Sequence, residues 1–354
     1  MRCSLLFPAP RIRATLVLLL CAANAGTAWS GELLVFPSVT GVMRTGGDAN
    51  RKKQEIQPAL DFFYTLEHGR ILVLAEFLVT DEERELERLQ VGFAATPFHK
   101  IWLGRYHNPL SYWDSAYHHG AYMQPSITRP GIAKFEDEQG VLPMHTTGIL
   151  LEGSTALSKA RLHYDLALGV GPLLGDALHP ADILAPTSER GRLGIGAKLG
   201  LRPADNETDE TGVFAGYTEI PITGRPYTDT KQTVAGAYFN REWEQWRFTG
   251  ELTAMRNRLE SPQAVSRADF TNVYVHGEYK ASGEWTGYGR LEASANAQNS
   301  YLDMFPGFIA GRALIGSRWE PLRNQAVKFE LWRGERQDGL WFNGLAAQWS
   351  AVFP

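Results

Sequence analysis

The sequence predicts an all-β protein, a single closed antiparallel transmembrane β-barrel of about 16 strands, within a range of about 14 to 18. Apolar and polar residues alternate with a period of two along much of the chain, and turn residues separate the alternating segments. After the first 30 residues, no apolar run reaches the roughly 18 residues that a membrane helix needs. Strands can still cross a bilayer, because a barrel wall needs only about 10 alternating residues per strand.

The first 30 residues have the order of charge, apolar run and small residues that is typical of a secretory signal peptide. Three arginines and no acidic residue accompany the apolar run 14–23, and small residues that end at Ser30 offer a cleavage site. We therefore predict a signal peptide at 1–30 and a barrel domain at 31–354, exported across the inner membrane.

Both cysteines, Cys3 and Cys21, fall within the predicted signal peptide, so the mature chain is expected to hold no disulfide. A lipoprotein acylated at Cys21 is the alternative, although Leu20 is bulkier than the residue that such processing prefers. Removal of the segment changes the formal charge from −4 to −7, because it carries three arginines and no acid. This mild acidity argues against a nucleic-acid partner.

The alternation is clearest in the segment 192–202, where one set of side chains is apolar and the other is charged or glycine. In a barrel, the apolar set faces lipid and the polar set faces the water-filled interior. The candidate strands are 32–44, 54–66, 70–79, 86–96, 100–106, 144–153, 161–170, 192–202, 212–222, 231–241, 244–254, 270–280, 285–295, 309–319, 327–331 and 340–353.

Connections of two lengths separate these strands. Short hairpin signals such as Glu67-His68-Gly69 and Ala281-Ser282-Gly283 fit neighbouring antiparallel strands. The longer polar connections 176–191, 203–211 and 257–267 are predicted to lie on the extracellular side, where barrel loops are long.

The final segment carries an apolar stripe that stops at an aromatic residue. Trp349 and Phe353 belong to this stripe, which resembles the closing-strand signal by which outer-membrane barrels are recognised for assembly, although Pro354 follows the aromatic residue. Tryptophans near the ends of other proposed strands, among them Trp285 and Trp319, suit the interfacial girdles of a membrane barrel.

The stretch Leu86–Pro109 reads LERLQVGFAATPFHKIWLGRYHNP. Gly104, Arg105 and Pro109 give it the pattern of a strand that ends in Gly-Arg before a proline. It resembles the phosphate-selective and related porins of Gram-negative bacteria. The resemblance implies a passive channel for small hydrophilic solutes in the cell outer membrane, in contact with its lipid and assembled as a homotrimer. It does not imply phosphate selectivity.

Charged side chains of the inward-facing sets are expected to line the lumen, where they stay hydrated and influence which solutes pass. Basic residues outnumber the acids Asp165, Glu251, Glu278, Glu292 and Glu330, so we expect a weak anion preference. The alternative is that these charges pair across neighbouring strands and hold the wall. The basic residues are Arg192, Lys198, Arg202, Arg247, Arg290, Arg312, Arg318 and Lys328.

The segment 106–143 shows no sustained alternation and is too long for an ordinary connection. In porins a long loop often folds into the barrel, so we predict that this one is the constriction element. The residues expected near the narrowest point are Tyr112, Trp113, Asp114, Tyr117, His118 and His119.

Three alternatives remain open. A metal site at His107, His118, His119 and His145, with Asp114, lacks the spacing of a standard site, so we expect no metal and no cofactor. A lipid-hydrolysing barrel enzyme would need a placed serine and histidine, and no Gly-x-Ser-x-Gly motif is present. A transporter for hydrophobic substrates would need an N-terminal plug, for which little chain is left.

Overall fold

The computed structural model describes residues 30–46, 53–81, 84–117, 120–136, 138–181, 183, 191–206 and 208–354. Apart from Ser30, the predicted signal peptide lies outside these residues. The elements are β1 (Ser30–Gly46), β2 (Gln54–His68), β3 (Ile71–Thr80), β4 (Arg84–Thr96), β5 (His99–His107), α1 (Tyr112–Ala116), α2 (Gly120–Met123), β6 (His145–Ala156), β7 (Ala160–Val170), β8 (Leu173–Leu174), β9 (Leu178–His179), β10 (Leu193–Pro203), β11 (Glu210–Pro221), β12 (Asp229–Trp243), β13 (Trp246–Glu260), β14 (Val265–Lys280), β15 (Trp285–Ala295), β16 (Ile309–Leu322), β17 (Gln325–Arg336) and β18 (Trp341–Ala351).

Sixteen of the described strands form one closed antiparallel barrel, in which each barrel strand pairs with the barrel strands before and after it and β7 is followed by β10. The short strands β8 and β9 form a separate two-stranded sheet. The barrel closes where β1 pairs with β18, for example at Thr40 and Gln348. The predicted fold class and strand number are confirmed, and each of the sixteen candidate segments overlaps one barrel strand. Among the described residues, no helix has the length and apolar character needed to cross a membrane.

The outer surface of the barrel is apolar because the alternation places one set of side chains outside. On β10, Leu193, Ile195, Leu199 and Leu201 remain 44–60% exposed, while the glycines between them face inward. Such a continuous exposed apolar surface is costly in water and suits contact with lipid.

Strand β4 contains a β-bulge that changes which side chains reach the interior. The pairing with β3 shifts register after Glu76, so that Glu87 becomes an extra residue. Glu87 and Arg88 are consequently both buried, although they are consecutive in the chain. Arg88 Nε donates to Glu76 Oε2 over 2.7 Å. The bulge thus directs two neighbouring charged side chains inward.

The strand order defines two ends of the barrel. The end that carries the short connections β2–β3, β4–β5 and β6–β7 is called the turn end here, and the opposite end is the loop end. The three long connections predicted to share one side of the membrane do not lie at one end of the barrel. Residues 204–209 join β10 to β11 at the turn end, whereas the connections β7–β10 and β13–β14 lie at the loop end. Most of 257–267 lies within β13 and β14, which extend further than their alternation indicated.

Candidate functional site

The connection between β5 and β6 folds into the barrel and contacts its inner wall. We call it loop 108–144; within it, residues 118, 119 and 137 lie outside the described part. Its side chains and backbone meet β2 and the wall from β13 to β17, as the following contacts show.

The first contact is made by helix α1. Ser111 precedes the helix and caps it, with its hydroxyl oxygen accepting from the backbone N–H of the third residue. The Tyr112 N–H and the Ser111 hydroxyl donate to Glu251 Oε2 on β13 over 2.7 and 3.2 Å. The Tyr112 ring stacks on Tyr238 with centroids 4.9 Å apart, and burial raises the pKa of the Tyr112 hydroxyl. Trp113 is fully buried. Helix α1 is therefore packed against the wall.

An ion pair joins the beginning of the loop to its middle. Arg129 Nη2 lies 2.5 Å from Asp114 Oδ1, and both side chains are at most 5% exposed. Burial raises the pKa of the Asp114 carboxyl, and the Arg129 charge offsets part of that rise. The Arg129 guanidinium also lies 4.1 Å from the centre of the Phe135 ring. The pair fixes the loop's internal shape.

Helix α2 brings the loop to the seam where the barrel closes. The Gly120 N–H donates to Asp61 Oδ2 on β2 over 3.1 Å. Lys328 Nζ on β17 donates to the carbonyl oxygens of Ala121 and Gln124 over 2.6 and 2.7 Å. The loop backbone thus bonds to β2 on one side of the closing seam and to β17 on the other.

The middle of the loop binds a buried charged group on β15 and β16. Glu292 Oε1 accepts from Arg290 Nε over 2.9 Å and from Arg312 Nε over 2.7 Å, and its Oε2 accepts from the Gly131 N–H over 2.6 Å. Arg290 Nη1 also donates to the Ser126 hydroxyl over 2.9 Å. All the wall charges of this group are nearly inaccessible to water.

A second group on β16 and β17 binds the same part of the loop. Glu330 accepts from the N–H groups of Ile127 and Thr128 over 3.0 and 3.3 Å. Arg318 Nη1 donates to the Tyr122 carbonyl oxygen over 2.7 Å. Because these bonds join wall side chains to loop backbone, they depend little on the identity of the loop residues.

Four of the eight basic residues predicted to line the lumen bind the loop, and the other four lie elsewhere. Arg290, Arg312, Arg318 and Lys328 bind loop 108–144. The remaining four differ from one another: Lys198 pairs with Asp165, Arg202 with Glu210, Arg247 with Glu242 and Glu278, and Arg192 is exposed before β10.

Four of the six residues predicted near the constriction lie in the described part of the loop. Tyr112, Trp113 and Asp114 lie on α1 between the loop and the wall, and the Tyr117 ring packs edge-on against Trp113. His118 and His119 lie outside the described residues. Their role in narrowing the passage stays a prediction.

Two cavities adjoin the loop inside the barrel. The first cavity has a volume of about 560 Å³ and lies towards the loop end, between the loop, β1 to β4 and β16 to β18. Six acidic and five basic side chains are among its lining residues. The acidic residues are Glu55, Asp61, Glu76, Asp81, Glu87 and Glu138, and the basic residues are Arg44, Arg129, Lys134, Arg312 and Arg336.

The second cavity has a volume of about 410 Å³ and reaches the turn end at Pro97 and Phe98. Strands β3 to β7, β10 and β11 supply its lining. Four basic and three acidic side chains are among the lining residues, namely Arg88, Lys100, Lys198, Arg202, Glu152, Asp165 and Glu210.

A histidine and carboxylate cluster lies at the root of the loop. His107 and His145, the last residue of β5 and the first of β6, are paired partners whose rings are 5.1 Å apart. His145 Nε2 lies 2.8 Å from Glu87 Oε2, and Nδ1 lies 2.9 Å from Glu136 Oε2. Of the histidines considered from the sequence, the structure unites these two. The two glutamates were missed, because nothing in the spacing links them to the histidines.

Similarity to known proteins is found in the fold and not in the sequence. No protein-family model matches the sequence, and no curated protein matches it at the sequence level. Solved structures do match it, and they are porins and channels of the outer membrane, so the chain has the porin fold.

Three of these structures cover nearly the whole chain. The anion-selective porin from Comamonas acidovorans is 10% identical, with a TM-score of 0.63 over 92% of this chain and 100% of its own. The channel DcaP of Acinetobacter baumannii is 10% identical, with a TM-score of 0.59 over 93% and 98%. The trimer form of OmpT from Vibrio cholerae is 9% identical, with a TM-score of 0.58 over 91% and 99%.

Proposed function

We propose that this protein is a passive channel for small hydrophilic solutes across the outer membrane. The observation that carries the proposal is the position of loop 108–144, which lies inside the barrel and is bonded to the wall along its length while polar cavities remain beside it. An apolar outer face and a charged interior are the surfaces that a water-filled membrane barrel requires.

The proposal includes a signal peptide at 1–30 and a trimeric assembly. Charge, apolar run and small residues support the signal peptide. A trimer is supported by the similarity to OmpT, which is itself described in a trimer form.

The proposed channel has a weak anion preference that originates in the second cavity. Its basic side chains outnumber its acidic ones by four to three, whereas the first cavity has more acidic than basic side chains among its described lining. The anion-selective porin among the similar structures is consistent with this preference. Several basic residues on which the sequence argument relied instead hold the loop, so they contribute less to solute passage.

Planar-bilayer recording of the purified, refolded full chain tests the proposal. We expect stepwise ohmic currents and, in a potassium chloride gradient, a reversal potential of the sign that chloride selectivity produces. Liposome swelling with neutral sugars of increasing size should give rates that decrease with size. A protein that inserts but gives neither current steps nor swelling would refute the channel, and a cation-selective reversal potential would refute the anion preference alone.

Two other functions are less well supported. No observation on the described residues favours a lipid-hydrolysing enzyme or a transporter for hydrophobic substrates. Hydrolysis of phospholipid by the purified protein, lost on one serine or histidine substitution, would favour the enzyme.

A further inference from the structure

We propose that Glu87, His107 and His145 form a binding site for a divalent transition-metal ion such as Zn²⁺ at the root of loop 108–144. The ligand atoms of these three residues all lie within 4.8 Å of one another. The site would be completed by a solvent water, as in sites with two histidines and one glutamate.

The three proposed ligands are held by three neighbouring strands of the wall. His107 and His145 are directly opposite each other in the pairing of β5 with β6. Glu87 comes from β4, where the bulge directs its side chain to the same point. Because all three side chains belong to strands of the wall, the ligand set does not depend on how the loop tip is arranged.

One of the proposed ligands, His145, also contacts a carboxylate that would not itself bind the metal. Glu136 Oε2 lies 2.9 Å from His145 Nδ1, on the opposite side of the ring from the Nε2 atom that faces Glu87. Metal-binding histidines usually donate their second ring N–H to a carboxylate in this way, which fixes the ring and raises its basicity. Glu136 therefore orients His145 for coordination through Nε2.

The charge around the cluster favours a cation. Glu85, Glu87 and Glu136 are near His145, and Arg105 Nη1 lies 3.4 Å from Glu85 Oε1. Two imidazoles and a carboxylate suit zinc and its neighbours better than calcium or magnesium, which prefer oxygen ligands alone. Coordination through His145 Nε2 requires that nitrogen to be deprotonated, so a proton held there leaves to solvent when the ion binds.

The position of the site predicts that a bound metal ion affects the passage of solutes. Glu87 lines the first cavity and His107 lines the second. A bound ion would tie β4 to both ends of loop 108–144 at the boundary between the two cavities. We expect it to lower the single-channel conductance, an effect that rests on the proposed channel function.

Isothermal titration of the detergent-purified full chain with zinc chloride tests the site. We expect one ion per chain, with an affinity at least 100-fold weaker in His107→Gln and His145→Gln. Glu136→Gln should bind about 10 to 100-fold more weakly, as expected for loss of an outer partner. His99→Gln, at the turn end and bonded to Thr96, is the matched control and should bind like the wild type.

Two further measurements keep the result interpretable. Far-ultraviolet circular dichroism checks that each variant forms the barrel, and His107→Gln serves if His145→Gln does not fold. Titration with cobalt chloride should give visible absorption bands that disappear in the same variants.

Absence of stoichiometric zinc binding, or binding that neither histidine substitution weakens, would overturn the proposed site. Zinc-dependent lowering of the conductance should be lost in His107→Gln and retained in His99→Gln. A chain that binds zinc through these residues but conducts no current would uphold the metal site and reject the channel, so the two failures are distinguishable.

Discussion

The Glu292 carboxylate on β15 accepts a hydrogen bond of 2.6 Å from the backbone N–H of Gly131 in the middle of loop 108–144. The same carboxylate binds Arg290 and Arg312, both of which also bond to the loop. One wall side chain thus holds the loop backbone directly and orients two buried cations that hold it as well.

We predict that Glu292→Ala releases the middle of the loop. The substitution leaves the guanidinium groups of Arg290 and Arg312 buried without their shared carboxylate, which should cost about 3–5 kcal/mol of unfolding free energy. Urea unfolding in detergent measures the stability, and bilayer recording should show larger and noisier currents. Glu284→Ala, in an exposed turn at the opposite end of β15, is the control, and equal behaviour of the two variants would contradict the prediction.

Gly120→Ala should displace helix α2 from the wall. Gly120 has a φ of +48°, and an added Cβ would lie 2.4 Å from the Phe36 ring. The left-handed backbone alone costs an alanine about 1–2 kcal/mol. We expect a lower thermal stability and an altered single-channel conductance. Gly283→Ala, which meets nothing within 4 Å, should leave both quantities unchanged.

Because the outer face is apolar, an arginine placed on it should destabilise the barrel by an amount that depends on its depth in the bilayer. Leu291 in the middle of β15 is 68% exposed, and Leu322 at the end of β16 is 61% exposed. In a bilayer, Leu291→Arg should destabilise the barrel by about 2–4 kcal/mol and Leu322→Arg by about 0–1 kcal/mol. Unfolding titrations in lipid vesicles measure both, and similar costs at the two positions would argue against a transmembrane orientation of β15.

Lys198→Gln should reduce the anion preference of the channel. Lys198 lies in the second cavity, 2.9 Å from Asp165, so its loss leaves that carboxylate uncompensated. A unit charge close to the path changes the chloride to potassium permeability ratio by roughly two- to fivefold. Reversal potentials measure the ratio. Lys159→Gln, an equal change of charge in the exposed β6–β7 turn, should leave it unaltered.

The Asp114 carboxyl should make the stability of the folded chain depend on pH. Burial raises its pKa in the folded chain, so folding binds protons at this group. The associated stability is fully present below the unfolded pKa of about 3.9 and is lost as pH rises through the folded pKa. Acidification from pH 7 to about pH 4 should therefore raise the Tm more in the wild type than in Asp114→Asn. Asp303→Asn, at an exposed loop position, is expected to follow the wild type.

Period-two alternation was sufficient to predict the wall. On β10, apolar and polar side chains separate cleanly, because one face meets lipid and the other the interior. The same reasoning fails at Glu87, where the bulge adds a residue and both Glu87 and Arg88 turn inward. It also grouped 204–209 with the β7–β10 connection, although the two lie at opposite ends, because the length of a connection does not determine the end of the barrel at which it lies.

The interior of the site was less accessible to sequence reasoning. Arg290 and Lys328 were predicted to line a hydrated lumen, and the structure places both side chains buried in contact with the loop. Which inward charges meet the loop depends on the loop's path, and that path has no periodicity from which to read it. Glu136 lies beside His145 for the same reason, because the irregular path of the loop brings the two side chains into contact.

The pairing of β1 with β18 brings Thr40 and Gln348 within 2.9 Å, although 308 positions separate them in the chain. Without that ladder, the sheet has two open edges. Contacts between such distant segments form slowly, and exposed edges invite aggregation. Pairing at the seam therefore removes both open edges in one step, and we expect a chain whose seam is not closed to aggregate unless its edges are shielded.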